Sequence, residues 1–258
     1  MRLVDTHTHL YLEQFKEDRQ KVVQRALEQG VEIMLLPNID ADSLQDMQEF
    51  HREFPDHSLT MMGLHPTSVK EDFETQLALV EQELSSGNYC AVGEIGMDLY
   101  WDKSYLEHQR IAFRHQLKLA KTHKLPVSIH TREAFDEIYA IVKEELTDEL
   151  KGVFHCFTGT PEQAEKIIQL GFSLGIGGVL TFKNAKLGDT LSGVPLKNLV
   201  LETDAPFLAP VPYRGKRNES SYLRIIAEKL AEVKRVRLEK VAETTTQTAA
   251  EIYQLTNS

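Results

Sequence analysis

The run Val4-Asp5-Thr6-His7-Thr8-His9-Leu10 decides how the rest of the chain is read. Residues two apart in an extended strand share one face, so His7 and His9 are expected to point the same way. Two imidazoles aimed at one point make half of a metal site. Further along the chain, short apolar runs recur at residues 2–9, 32–38, 59–65, 90–96, 126–131, 152–157, 172–177 and 199–204. Each ends in polar or glycine residues and gives way to a helical pattern. In 105–123 and 161–170 the apolar positions return every three or four residues. Strands alternating with helices call for a parallel sheet. Eight such units in 258 residues fit an α/β fold of the (β/α)8 TIM type, regular or distorted. A doubly wound open sheet is the structural competitor, but its Gly-rich phosphate fingerprint is absent. No linker, repeat or low-complexity stretch divides the chain, so residues 1–258 read as one domain, closed by a last helix over 238–255.

The bulk numbers restrict function. A formal charge of −10 carries no broad basic footprint, so contact with nucleic acid would have to rest on bound cations and local arginines. Cys90 and Cys156 match no zinc or redox spacing and read as reduced thiols. The chain opens without a signal-like segment and holds no apolar run of membrane-spanning length. A cytoplasmic location is expected, with no membrane association and no obligate protein partner.

In such a barrel the C-terminal strand ends form the active-site face. Reading that rim gives His7 and His9, Asn38, His65, Glu94, His130, His155 and Asp204; the seventh strand ends in glycines. His7, His9, His130 and His155 with Glu94 and Asp204 exceed what one tetrahedral zinc uses. They suit two divalent cations roughly 3.5–4 Å apart, bridged by a carboxylate. Strand parity puts Asp5 with His7 and His9, and Glu202 with Asp204. Both are then expected one layer below the metals, as acceptors that orient histidines, or else paired with a buried lysine or arginine. Parity also turns Cys156 away from His155, and Gly-x-Ser-x-Gly is missing, so neither a Cys-His pair nor a serine triad is signalled.

Taken together, these segments resemble the TatD family of metal-dependent deoxyribonucleases, within the amidohydrolase-type barrels. The matching stretches are Asp5-Thr6-His7-Thr8-His9-Leu10, Gly63-Leu64-His65-Pro66, Gly93-Glu94-Ile95-Gly96-Met97-Asp98, Ile129-His130-Thr131-Arg132, His155-Cys156-Phe157-Thr158-Gly159, Leu201-Glu202-Thr203-Asp204-Ala205-Pro206 and Arg214-Gly215-Lys216-Arg217-Asn218-Glu219. They stand in the family's order and span almost the whole chain. Ser220 departs from the proline that often follows the Asn-Glu pair, and Met97 from the leucine common at its position. The resemblance implies that His7, His9 and Asp204 hold one metal and that His130 and His155 hold the other, with Glu94 bridging. It also implies divalent-cation-dependent hydrolysis of DNA phosphodiesters, in an exonuclease mode and supported by magnesium. The histidine-rich ligand set chemically suits zinc, manganese or nickel better.

Such catalysis needs a nucleophile and neutralisation of charge building on the phosphoryl oxygens. Coordination can lower a water's pKa from 15.7 to about 7. Asp204, beside the metals, is expected to take the proton of the attacking water. His65 has two readings: contact with a substrate phosphate or water, or capping of the His65-Pro66 turn. Arg132 either grips phosphate or pairs with Glu133 or Asp136. Arg214, Lys216 and Arg217 either supply local positive charge or form a solvated loop. Asp98 and Glu219 are candidates for substrate contact or loop positioning. Tyr100 and Trp101 are expected to pack a loop rather than stack a base. His51, His57, His108, His115 and His123 fall in helices or connections and receive no role. Two other functions compete: hydrolysis of a small amide, lactone or phosphoester on the same barrel, and a non-catalytic scaffold. Glu94, where related barrels often carry a carboxylated lysine, leans away from the first. The expense of burying unpaired ligands without metal argues against the second.

Overall fold

The computed structural model describes residues 1–255; the last three positions of the single-domain reading, 256–258, lie outside them. Eight strands form one parallel sheet in sequence order: β1 (Leu3–Asp5), β2 (Val31–Pro37), β3 (Ser58–Met62), β4 (Ala91–Asp98), β5 (Val127–Arg132), β6 (Gly152–Phe154), β7 (Ser173–Ile176) and β8 (Leu199–Leu201). The helices alternate with them: α1 (Arg19–Glu28), α2 (Ala41–Glu53), α3 (Phe73–Ser86), α4 (Leu106–His123), α5 (Phe135–Glu145), α6 (Pro161–Gln169), α7 (Leu187–Ser192), α8 (Leu223–Lys234) and α9 (Leu238–Tyr253). None of the described helices is long and apolar enough to cross a membrane.

Local chemistry sets the helix starts. Asp40 and Ser43 exchange side-chain and backbone hydrogen bonds in a capping box at α2, and Thr160 and Gln163 do the same at α6, where Pro161 takes the first helical position. Two core layers result. Val4, Leu35, Met61, Ala91, Val153 and Val200 point inward, and Ala249, Ile252 and Tyr253 at the end of α9 close over them at the N-terminal mouth. Leu3, Leu36, Ile129, Phe154 and Leu201 point outward, into the layer shared with the helices.

The strands are shorter than the sequence suggests, and the barrel is closed without a ladder between β8 and β1 among the described residues. The seam is instead sewn just beyond the strand ends. Thr6 donates from its backbone N–H and its hydroxyl to Leu201 O, both at 3.0 Å. Asp204 N–H donates to His7 O at 2.9 Å, and His9 N–H to Ala205 O at 2.7 Å.

This geometry corrects the role expected for Asp5. Val4 takes the inward face, so the pleat puts Asp5 outward, on the side of Leu3. There its carboxylate accepts from Thr203 N–H (2.9 Å), Thr203 Oγ1 (2.6 Å) and Ser220 Oγ (2.6 Å). It touches His7 only at the backbone N–H, at 3.4 Å, and orients no imidazole. Asp5 is a stitch across the barrel seam. Burial pushes its carboxyl up to about 7 against those four bonds.

Candidate metal centre

Because β1 ends at Asp5, His7 and His9 leave strand geometry, and seam bonds rather than pleating aim them. Asp204 sits at φ +56° and Cys156 at +48°, a left-handed conformation rare for residues with a Cβ. Strain of this kind, of order 1–3 kcal/mol per residue, persists where surrounding contacts over-determine it and clusters at functional sites. Here the seam bonds and the Cys156 N–H bond to Glu202 supply those contacts.

Glu94, at 2 % exposure, is the hub. Its Oε2 faces His7 Nε2 at 3.0 Å and His9 Nε2 at 3.6 Å. Its Oε1 faces His130 Nδ1 at 2.8 Å, His155 Nε2 at 3.0 Å and His65 Nε2 at 3.4 Å. Asp204 Oδ1 lies 3.7 Å from His9 Nε2 and 3.9 Å from His7 Nε2. The rings of His7 and His155 stack at 3.7 Å. Three groupings have ligand atoms mutually within 4.8 Å: His7–His9–Glu94, His7–His155–Asp204 and His65–Glu94–His130.

Each far ring nitrogen has a holder. Tyr11 Oη lies 2.9 Å from His9 Nδ1 and donates to Pro37 O at 2.6 Å. Ser128 Oγ lies 3.1 Å from His7 Nδ1. Asp98 Oδ2 lies 2.9 Å from His130 Nε2, and Glu202 Oε1 3.1 Å from His155 Nδ1. Glu202 thus orients one of the histidines, as its shared parity with Asp204 suggested, and the one it holds is His155. It fits only because residue 175 is glycine: a Cβ there would fall 2.1 Å from Glu202 Oε2.

Burial lowers the proton affinity of His7, His9 and His65, of His9 well below the ordinary histidine value. The Glu94 carboxyl, although buried, is held well below the usual range by the surrounding imidazoles, His155 foremost. His155 rises well above the ordinary value: its burial is outweighed by the Glu94 and Glu202 carboxylates. Burial pushes the Asp204 carboxyl up to about 7.

The donor set fits divalent cations. Tyr11 Oη spends its own proton on Pro37, so it accepts from His9 Nδ1–H, and His9 Nε2 is left as a bare lone pair. That lone pair faces two carboxylate oxygens, at 3.6 and 3.7 Å. A cation between them would make this arrangement favourable.

Other expected contacts are corrected. Arg217 is spent on a fork to Asp18, at 2.8 and 2.7 Å, and on Gln14 O at 2.6 Å, with its guanidinium 4.6 Å from the Phe15 ring centre. Glu219 takes a bidentate bond from Arg25, at 2.8 and 2.5 Å, and one from Ser221. Both anchor the loop after β8 to α1 and its N-terminal side, which engages the guanidinium and the carboxylate expected to meet substrate. Asp98, 2 % exposed, accepts from His130, Tyr100 N–H and Trp101 N–H, so it positions ring and loop instead of touching substrate. Tyr100 and Trp101 pack edge-on against each other, ring centres 4.9 Å apart, but are not buried: they are 50 % and 68 % exposed. Arg132 forms no pair with Glu133 or Asp136 and lies 4.0 and 5.2 Å from the ring centres of Tyr100 and Trp101. His65 Nδ1 accepts from Thr67 N–H at 3.1 Å, so it does cap its turn.

Several site-building residues escaped sequence reasoning. Ser128 shares strand parity with His130, a signal that was present. Tyr11 follows His9 by two, the same spacing. Gln109 and Gln116, on the buried stripe of α4, gave none. Gln109 accepts from Asp98 N–H at 2.9 Å and donates to Asp98 O, while Gln116 grips Leu64 N–H and O, at 2.7 and 3.2 Å.

Residues 4–254 match the protein family described as TatD related DNase. The uncharacterized metal-dependent hydrolase YabD of Bacillus subtilis (strain 168) is 38% identical over 254 residues, 98% of this chain and 99% of that protein. The uncharacterized metal-dependent hydrolase YcfH of Escherichia coli (strain K12) is 34% identical over 261 residues, 99% of this chain and 97% of the other. The crystal structure of YjjV, a TatD homolog from Escherichia coli K12, superposes with a TM-score of 0.93 at 29% identity, covering 99% of both chains.

Proposed function

The chain belongs to the TatD-related DNase family, and from that membership we propose that it is a metal-dependent hydrolase cleaving DNA phosphodiester bonds from strand ends. One observation carries the two-cation part of the reading: the two oxygens of Glu94 face separate imidazole sets. On this reading His7 Nε2, His9 Nε2 and Asp204 would hold one cation, and His130 Nδ1 and His155 Nε2 the other, with Glu94 shared. Bound cations would supply Lewis acidity toward the phosphoryl group and a water acidic enough to attack near neutral pH.

The protein's own groups do the rest. The Asp204 carboxylate accepts the proton of the attacking water, from a backbone the seam holds at φ +56°. Tyr11, Asp98 and Glu202 hold His9, His130 and His155 so that their other nitrogens face the site. Arg132, with no carboxylate partner among the described residues, meets a neighbouring phosphate of the strand. In this way one arginine and bound cations offset, locally, the chain's charge of −10.

The test strips the purified chain with chelator and reloads it with zinc, manganese, nickel or magnesium. It then assays linear DNA, covalently closed circular DNA, bis(p-nitrophenyl) phosphate and a panel of lactones and amides, beside Glu94→Ala. The expected result is metal-restored cleavage of linear DNA and of the diester, lost in Glu94→Ala, with closed circles intact. Turnover of a lactone or amide without phosphodiester cleavage would assign the barrel to its rival.

A further inference from the structure

We infer that His65 is not a metal ligand but a fixed, uncharged hydrogen-bond donor, its Nε2–H aimed at a non-bridging oxygen of the phosphodiester. This rests on the phosphodiester reading above for the identity of the oxygen, but not for the state of the ring.

The partners of the imidazoles show which nitrogen carries the proton. Tyr11 donates to Pro37 O, so it accepts from His9 Nδ1–H. Asp98 and Glu202 are carboxylates and can only accept, so His130 bears its proton on Nε2 and His155 on Nδ1. In all three rings this leaves the nitrogen facing Glu94 as the one whose lone pair a bound cation would take. The Ser128 hydroxyl beside His7 Nδ1 is compatible with the same state.

His65 is wired the opposite way. The partner of its Nδ1 is the backbone N–H of Thr67, which can only donate. Nδ1 is therefore the lone-pair nitrogen, and the Thr67 hydroxyl 2.6 Å away is free to donate to it as well. The ring proton sits on Nε2, the atom 3.4 Å from Glu94 Oε1. A protonated nitrogen cannot coordinate a cation, although His65, Glu94 and His130 fall within 4.8 Å of one another. At 3.4 Å its bond to Glu94 is long, which leaves the donor able to take a better-placed oxyanion.

The position is rigid. His65 N–H donates to Ile39 O at 2.8 Å, Gln116 holds both backbone groups of Leu64, and Ser68 Oγ donates to Asp40. The side chain keeps 13 % exposure, so a phosphate oxygen can reach it. Preorganised donors of this kind act where negative charge develops.

Three measurements test this, and none requires DNA cleavage. In long-range ¹H–¹⁵N spectra of histidine-labelled protein, the signal lost in His65→Gln should show the Nε2–H tautomer, with and without zinc; an Nδ1–H tautomer overturns the inference. Zinc bound per chain should be unchanged in His65→Leu and His65→Gln; a drop would make His65 a ligand. In calorimetric titration of the zinc-loaded chain with inorganic phosphate, His65→Leu should bind roughly tenfold to a hundredfold more weakly, the scale of a hydrogen bond to a charged group. His65→Gln, whose amide can still donate, should recover most of that loss. Equal affinity in parent and leucine variant overturns the inference. If the parent binds phosphate through His65 yet fails to cleave DNA, the phosphodiester reading falls and the donor assignment stands.

Discussion

Replacing Tyr11 by phenylalanine removes one oxygen that two buried groups share. Tyr11 is fully buried; its Oη accepts from His9 Nδ1 at 2.9 Å and donates to Pro37 O at 2.6 Å. Phenylalanine keeps the ring, so the packing loss is small. The stranded N–H and carbonyl cost about 1–3 kcal/mol each if both stay dry, and about 2 kcal/mol together if water reaches one of them. At roughly 2–4 °C per kcal/mol for a chain of this size, the metal-free melting temperature should fall by about 4–8 °C. The second effect separates this account from one of simple packing. Without Tyr11, His9 loses the partner that keeps Nε2 bare, and removing such a partner typically weakens metal binding about 10- to 100-fold. A tenfold loss is about 1.4 kcal/mol, by which zinc-induced stabilisation should shrink at saturating metal. Competition titration against a chromophoric chelator, with calorimetry in the presence and absence of zinc, measures both. A lowered melting temperature with zinc affinity within twofold of the parent would reduce Tyr11 to a core residue and refute the reasoning.

Other perturbations separate site from scaffold. Gly175→Ala puts a Cβ 2.1 Å from Glu202 Oε2, so Glu202 must leave His155 and zinc affinity should drop about tenfold; unchanged affinity in a folded variant contradicts this. Arg132→Ala should raise KM for DNA and lower the salt slope of binding by about one, with metal content intact; an unchanged slope removes Arg132 from the phosphate path. Arg217→Ala should leave turnover of bis(p-nitrophenyl) phosphate within twofold while costing up to about 1 kcal/mol of stability at pH 7. The Arg217 hydrogen bond holds the Asp18 carboxyl below its ordinary 3.8, so that stability is present above the unfolded value and lost as pH falls through the lowered one. The deficit of Arg217→Ala should therefore fade in acid, and a deficit constant from pH 7 to below 3 contradicts the pairing.

Alternation of apolar runs with amphipathic stretches made the eight-stranded barrel legible, and histidine and acid at the run ends made the cluster around Glu94 legible. Strand parity worked where the chain stays in a strand, as for Ser128 and His130 on β5. It failed for Asp5, because β1 ends there and Val4 already takes the inward face. His7 and His9 converge for a different reason, the seam bonds to Ala205 and Asp204, and those join residues nearly two hundred positions apart. No local pattern carries such information. Nor does residue type reveal whether a charge is spoken for. Arg217 and Glu219 stand in a loop that reads as substrate-facing, yet Asp18 and Arg25 consume them. Tyr100 and Trp101 erred the other way, since a carboxylate that fixes their backbone N–H groups at Asp98 holds the loop without burying its rings.

Diffraction from crystals grown in zinc, with data collected on both sides of the zinc absorption edge, tests the central claim most directly. Two anomalous peaks should flank the Glu94 carboxylate, one against His7, His9 and Asp204 and one against His130 and His155, and both should vanish in Glu94→Ala. A single peak, or zinc bound elsewhere while this cluster stays empty, would contradict the account.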